Sequence, residues 1–417
     1  MKISELGKTV TGKTPSTKNE KYFDGNILFI TPTDITNGGY VEQTERHISE
    51  EGFNSIKTNT ISGKSILVGC IGSDMGNVSW TDKTCASNQQ INAITDIIDE
   101  INPIYIYYKL SQMKEYLRQL AGTTTTPILP KSIFDDIDLE IQDRNIQDKI
   151  VGILFNIDKK IENNNKINAE LESMAKTIYD YWFLQFEFPN EEGKPYKSSG
   201  GKMVWNEELK REIPEGWEVS HVKDCIKHIN TGLNPRDNFV LGNGSIKYIT
   251  VKNLTTDGTI DFSGCDMIDE EARVIVHNRS DVSKNDILFA SIAPLGRCAI
   301  VHENPTDWDI NESVFCIRPN NNIVSTEYLY MFFMSDYFIK KAEHNSTGSV
   351  FSGIRISSLE DMIITIPPEK IKDNFVKAIR EALYMKYENE KQNQELASLR
   401  DFLLPMLMNG QVGFKNK

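Results

Sequence analysis

The chain carries one long duplication, and that feature limits its possible folds more than any other. Asn164–Met174 reads NNKINAELESM, and Asn389–Leu399 reads NEKQNQELASL, with Asn, Lys, Asn, Glu, Leu and Ser recurring in order 225 positions later. Ile27–Ile35 (ILFITPTDI) matches Ile246–Leu254 (IKYITVKNL), and Ser62–Cys70 (SGKSILVGC) matches Ser283–Ser291 (SKNDILFAS). Asn88–Ile94 (NQQINAI) matches Asn311–Ile317 (NESVFCI), Tyr105–Met113 matches Tyr328–Asp336, and Phe134–Ile141 matches Leu359–Ile366. The offset drifts by only a few residues, which places small insertions in loops. A period near half the chain means two fused modules, not a solenoid of short repeats.

Each module shows the same order of signals. Short β-branched runs such as ILFIT and SILVG, bounded by Gly, Asn and Asp, predict strands. One amphipathic helix is expected near Ile104–Leu120 and near Glu327–Ala342, followed by a last strand. A long helix then closes each module, about Arg144–Phe186 and Ile371–Met408. Composition between the modules, rich in Gly, Pro and Ser, predicts a loose linker of roughly 25 residues. The expected fold class is α+β, with domains at 1–141 and 213–366, long helices at 142–187 and 367–412, and the linker at 188–212.

In the first long helix, Ile150, Ile157, Asn164, Leu171 and Ile178 recur every seventh residue. Ile153/Leu154, Ile161, Ile167, Met174/Ala175 and Trp182 fill the positions between. Phe375, Ala382, Asn389, Leu396 and Leu403 are the counterparts of the first set in the second helix, and together they describe a coiled-coil seam. Antiparallel packing predicts that Asn164 faces Asn389 at the midpoint, where a slip of register would leave each amide unsatisfied at about 1–3 kcal/mol. Helices of about 40 residues extend roughly 60 Å, so the expected form is a pseudo-two-fold dumbbell with a stiff antiparallel spacer between its domains.

Composition excludes several functions. A formal net charge of −13 is poor for a chain that binds nucleic acid unaided, unless a partner supplies positive charge. The opening MKISELGKTVTGK lacks the apolar core of a secretory signal, and no apolar run is long enough to span a bilayer, so a cytoplasmic protein is expected. Cys70, Cys85, Cys225, Cys265, Cys298 and Cys316 form no CxxC pair or zinc spacing and are expected to be buried free thiols. No phosphate-binding GxxxxGK[ST] loop, GxSxG elbow or Asn/Asp-Pro-Pro-aromatic methyltransferase motif is present. Glu192-Gly193-Lys194 and Glu208-Leu209-Lys210 fit a nuclease fragment only in the way that any charged linker would. No catalytic residue and no metal ligand is assigned.

What remains is loop chemistry suited to a polyanion. Thr11–Lys18 (TGKTPSTK) and Gly122–Ser132 (GTTTTPILPKS) in the first module are polar and punctuated by Gly and Pro. Asn230–Asn238 (NTGLNPRDN) and His344–Arg355 (HNSTGSVFSGIR) are their counterparts. The candidate DNA-contacting residues are Lys13, Thr14, Ser16, Thr123, Thr124, Thr125 and Lys131, with Asn234, Arg236, Ser346, Thr347, Ser349 and Arg355 in the second module. Hydroxyls and backbone N–H groups bind phosphates, while Lys, Arg, Asn and Gln read base edges. The modules differ most in these loops and agree most in the helices.

The tandem module-plus-helix layout, TGKTPS, the junction Ser198–Ser220 (SSGGKMVWNEELKREIPEGWEVS) and the closing Leu403–Val412 (LLPMLMNGQV) resemble the specificity (S) subunits of type I restriction-modification enzymes. The resemblance covers nearly the whole chain. It implies two target-recognition domains, each reading half of a split sequence in double-stranded DNA. It further implies long helices that set the gap and dock two methyltransferase (M) subunits. The M subunits would methylate adenine with S-adenosylmethionine, and restriction (R) subunits would cleave DNA using ATP and Mg, so this chain would be non-catalytic and without a cofactor. One departure is that Trp217, in the opening segment of the second module, has no counterpart in the first, whose start is expected to be shortened or packed differently. A different class also fits the duplication: a non-enzymatic adaptor with twin protein-binding domains.

Overall fold

A computed structural model describes residues 1–36, 38–122, 127–292, 294–345 and 353–414. Two compact units emerge, Met1–Ile161 with Glu395–Lys417, and Glu162–Gln394. The division falls inside both long helices, Arg144–Tyr179 and Glu369–Met408.

In the first unit, strands Lys8–Thr11, Ile91–Thr95, Ser65–Gly69, Val78–Thr81 and Gly39–Tyr40 lie in that order in one sheet. A second sheet orders Arg46–Ile48, Phe23–Ile30, Cys85–Ser87 and Thr60–Ile61. Ser65–Gly69 is buried throughout because both of its faces are covered. Ile66 and Val68 join the core beneath the helices with Tyr105, Ile106 and Leu110, while Leu67 packs against Leu28 and Ile30 of the other layer. That two-sided burial is why SILVG reads as an unbroken apolar run.

The second unit repeats this plan. Ile226–Thr231, Val314–Pro319, Ile287–Ala290 and Cys298–Ile300 form one sheet, and Asp266–Ile268, Ile246–Ile249 and Trp308–Ile310 form another. Phe23–Ile30 pairs in parallel with Cys85–Ser87, and Ile246–Ile249 likewise with Trp308–Ile310. Ile287 and Phe289 face the helical core, whereas Leu288 and Ala290 face the second layer. Even a local cap is duplicated: Asp34 accepts from the Thr31 backbone and hydroxyl, and Asn253 accepts from those of Thr250.

Within each unit the long helices run antiparallel. In the first, Arg400 pairs with Asp158 at 3.0 Å, and Gln142 donates to the Leu407 and Met408 carbonyls. In the second, Lys386 meets Glu172 at 3.0 Å and the Asn389 amide donates to Asn168 at 2.9 Å. Rising numbers on one helix thus meet falling numbers on the other.

Five expectations are corrected. Each amphipathic helix is two short ones, Pro103–Ser111 with Lys114–Leu120 and Thr326–Met334 with Asp336–Asn345. In the second unit the break is at Ser335, which is extended and whose hydroxyl donates to Phe332 and accepts from Phe338, closing one helix and opening the next. The last strand holds at Ile363–Ile366, which pairs with Glu218–His221. In the first unit, the corresponding stretch makes only a Lys2–Asp138 bridge after the short helix Lys131–Asp135.

The linker is not loose throughout. Met203–Asn206 and Arg211–Pro214 form a hairpin. The Arg211 guanidinium lies 4.7 Å from the Phe186 ring centroid, and Ile213 and Trp217 enter the core. Aromatic burial therefore outweighs the Gly, Pro and Ser content there.

The first set of the seam holds, with Ile150, Ile157 and Asn164 buried, and the second set departs from expectation at Ile167. Leu154, Asn168 and Ala175 are buried, while Ile153, Ile167 and Met174 are exposed. A 3–4 alternation can begin on either phase, and adjacent residues about 100° apart cannot both point inward. Nor do Asn164 and Asn389 pair. Asn164, fully buried, donates to Gln392 at 2.9 Å and Asn393 at 2.8 Å, one turn from the Asn389–Asn168 bond. The middle of the seam is an amide ladder, in which each side chain finds a donor or acceptor one turn along.

Candidate nucleic-acid interface

In the first unit the polar loops converge at one end of the main sheet. Lys8–Thr11 pairs with Ile91–Thr95, and Gly12 continues the pairing by donating its N–H to Ile91. A Cβ on Gly12 would lie 2.0 Å from the Asn88 carbonyl, so only glycine lets these loops approach so closely. Cys70 donates to Gln90, Leu129 to Cys70, and Gly72 to Pro127. Backbone bonds thus stitch the segments at 12–14, 70–72, 88–91 and 127–129 into one edge.

The second unit builds the corresponding edge largely by equivalent bonds. Gly232 donates to Asn311, Ser291 to Ser313, and Ile354 to Ser291. A Cβ on Gly232 would sit 1.7 Å from the Ile310 carbonyl. Asn88 donates to Ile30 and Asn311 to Ile249, each across a parallel strand pair. Both Asn side chains then accept from the residue two positions on, Gln90 at 3.0 Å and Ser313 at 3.1 Å.

The residues expected to touch DNA fall on this frame unevenly. Lys13 is exposed beside Gly12 and has no ion-pair partner among the described residues. Thr14 donates its hydroxyl to Gln89 at 3.0 Å, and Ser16 is exposed, its carbonyl accepting from Asn19. In the second unit, Asn234 accepts at its carbonyl from the Asn238 amide, and Arg236 is exposed in the same loop. Arg355 is exposed next to Ile354, at the start of the short helix Ile356–Glu360. Neither arginine has an ion-pair partner among the described residues. Lys131 is different, since it is ion-paired to Asp135 on its own helical turn and offers less free charge. Thr123, Thr124, Thr125, Ser346, Thr347 and Ser349 lie outside the described residues.

Residues that sequence reasoning missed also lie on these edges. Gln89 is exposed and Glu312 half-buried at equivalent positions, and Ile128 and Ile292 present apolar surface on the stitched segments. Their signal was present in the Asn88–Ile94 and Asn311–Ile317 match, but a three-residue turn between strands does not show which way it faces.

Among the described residues, nothing at either edge resembles a catalytic centre, and no group of three or more His, Cys, Asp or Glu is placed to hold a metal ion. In the linker, Lys194 pairs with Glu192, and Glu208 lies 3.5 Å from His221. Five of the six cysteines are buried free thiols and Cys265 is half-buried; burial pushes Cys70 and Cys85 up to about 12, leaving them unreactive. No helix among the described residues is long and apolar enough to cross a membrane.

A family model described as the type I restriction modification DNA specificity domain matches residues 1–173 and 214–397. The chain is 28% identical to the type I restriction enzyme MjaIX specificity subunit of Methanocaldococcus jannaschii, over 99% of this chain and 92% of that one. It is 36% identical to the HindI specificity subunit of Haemophilus influenzae over 41% of this chain and 38% of that one. The crystal structure of an S subunit from M. genitalium shares the fold, with a TM-score of 0.60 at 18% identity, covering 100% of this chain and 96% of that one.

Proposed function

The chain belongs to the type I restriction modification DNA specificity domain family, and from that premise we propose that it reads a bipartite target in double-stranded DNA, one half-site per domain. The observation that carries this reading is the duplicated loop edge, built by matching backbone bonds in both units yet bearing different side chains. A shared frame with divergent residues is what two readers of unlike half-sites require. Arg236 and Arg355 supply unpaired cations for phosphates, Lys13, Thr14, Ser16 and Asn234 supply polar groups for base edges, and Ile128 and Ile292 offer apolar surface for thymine methyls.

The paired long helices set the gap between half-sites and dock the methyltransferase subunits. Ile167, Met174 and Tyr181 recur every seventh residue on the central helix and its last turn, and they are 44%, 43% and 39% exposed. A heptad-spaced apolar stripe left outside the internal seam suits a helical partner. Methyl transfer from S-adenosylmethionine and ATP- and Mg-dependent cleavage reside in the methyltransferase and restriction subunits. The complex works in the cytoplasm, where its DNA is.

Base-resolved mapping of modified adenines, in cells expressing this chain with its methyltransferase subunits, tests the reading. Replacing Lys13 and Thr124 alters one half of the modified sequence and leaves the other intact. A change in both halves, or in neither, overturns it.

A further inference from the structure

At the duplicated edge, one position in each unit is left over after the frame has been built. In the turn Asn88-Gln89-Gln90 the outer residues are committed to structure. The Asn88 side-chain oxygen accepts from the Gln90 backbone at 3.0 Å, and its amide donates to the Gln90 side-chain oxygen at 2.9 Å. The Gln90 carbonyl meanwhile accepts from Cys70 at 2.7 Å. Gln89, at the apex, is exposed, and its one described side-chain bond is with Thr14.

The equivalent turn in the second unit is Asn311-Glu312-Ser313. Asn311 accepts from the Ser313 backbone at 3.1 Å, and the Ser313 carbonyl accepts from both the Ser291 backbone and its hydroxyl. Glu312 stands at the apex. Its Oε2 is shielded from solvent and has no hydrogen-bond partner among the described residues. An unsatisfied buried carboxylate oxygen costs stability and calls for an explanation. Because the residue as a whole is half-buried, its side chain can swing to an incoming donor without breaking an internal bond at that oxygen.

We propose that Gln89 and Glu312 are paired base-selecting residues, Gln89 specifying an adenine in one half-site and Glu312 a cytosine in the other. This rests on the reading of the two edges as DNA readers. A glutamine amide presents a donor and an acceptor together, which match N7 and N6 of adenine, whereas a carboxylate accepts only and matches the N4 amine of cytosine. The Thr14 hydroxyl occupies one lone pair of the Gln89 oxygen and fixes which end of the amide is the acceptor. A second lone pair and both amide hydrogens remain for the base. Thr14 is therefore a positioning residue.

The test is an exchange of the two apex side chains in the full chain, assembled with its methyltransferase subunits and assayed by base-resolved mapping of modified adenines. Gln89→Glu is expected to change one adenine position of one half-site to cytosine. Glu312→Gln is expected to make the converse change in the other half-site. Each exchange is nearly isosteric and should leave complex yield unaltered. Thr14→Val keeps the adenine but lowers discrimination at that position alone, by a factor within the roughly 5- to 150-fold range of a good bidentate pair. If replacing Lys13 and Thr124 alters a half-site but neither exchange does, the assignment of Gln89 and Glu312 falls while the two-reader function stands. If neither set alters the target, the function itself falls, and the assignment with it.

Discussion

Glu390, on the C-terminal helix, is a carboxylate that folding keeps away from water. Burial pushes it up to about 8, opposed by the Lys386 ammonium 3.9 Å away and reinforced by the negative charges of Asp257 and Glu172. Lys386 is already engaged, donating to Glu172 at 3.0 Å and to the Asp257 carbonyl. The raised value means that the folded state holds a proton which the unfolded chain releases near pH 4.5. Stability from this group is therefore full below about pH 4.5 and is lost as pH rises toward 8. Glu390→Gln should flatten that loss, so that its Tm relative to the parent rises between pH 5 and 8 in thermal melts. His302, stacked on Tyr387 at 4.3 Å, acts in the opposite sense, because burial, with help from Lys284, depresses it to about 4. Its contribution is present above pH 6.5 and lost as pH falls toward 4. His302→Phe keeps the stack and should soften the acid limb of the same melts.

At the level of elements, the amide ladder fixes how the long helices engage within the second unit. Asn389 bonds to Asn168, and Asn164 bonds to Gln392 and Asn393, so the pairing is offset by one turn from a direct Asn164–Asn389 match. In a Cys265→Ser background, a short thiol cross-linker should join cysteines placed at 168 and 389 much faster than cysteines placed at 164 and 389. Equal rates would refute the register. The outward stripe is separable from this ladder. Met174→Glu places a charge on an exposed position, for which the stability cost is usually within about 0.5 kcal/mol. Co-purification with the methyltransferase subunit should nonetheless drop about tenfold or more, while the Tm of the isolated chain is unchanged.

For the whole molecule, charge decides how DNA is held. A chain with net charge −13 repels a polyanion on average, so attraction must come from local cations and from partner subunits. Binding by the assembled complex should fall steeply as salt is raised, with a log–log slope of about −0.9 for every phosphate that a cation neutralises. Arg236→Ala removes one such cation and is accordingly expected to weaken binding across sequences and to make the slope shallower by about one. Filter binding at a series of salt concentrations measures both, and a flat response in the parent complex would instead favour an adaptor that binds protein.

The sequence alone determined the duplication, the α+β class, the antiparallel helices and the family resemblance, because these depend on patterns repeated over tens of residues. It also located the Lys13 and Arg236 loops, since glycine and proline punctuate them wherever the chain is folded. Only the tertiary structure decided which phase of the helical pattern faces inward, turning Ile167 and Met174 out and Asn168 in. It alone folded the stretch at 203–214 into a hairpin over Phe186. It also brought Gln89 beside Thr14, 75 positions apart, and left Glu312 Oε2 without a donor. Periodicity is a property of neighbours along the chain and can be read there. Which face is buried, and which polar atom goes unsatisfied, depends on groups brought together from distant positions, and no local pattern encodes them.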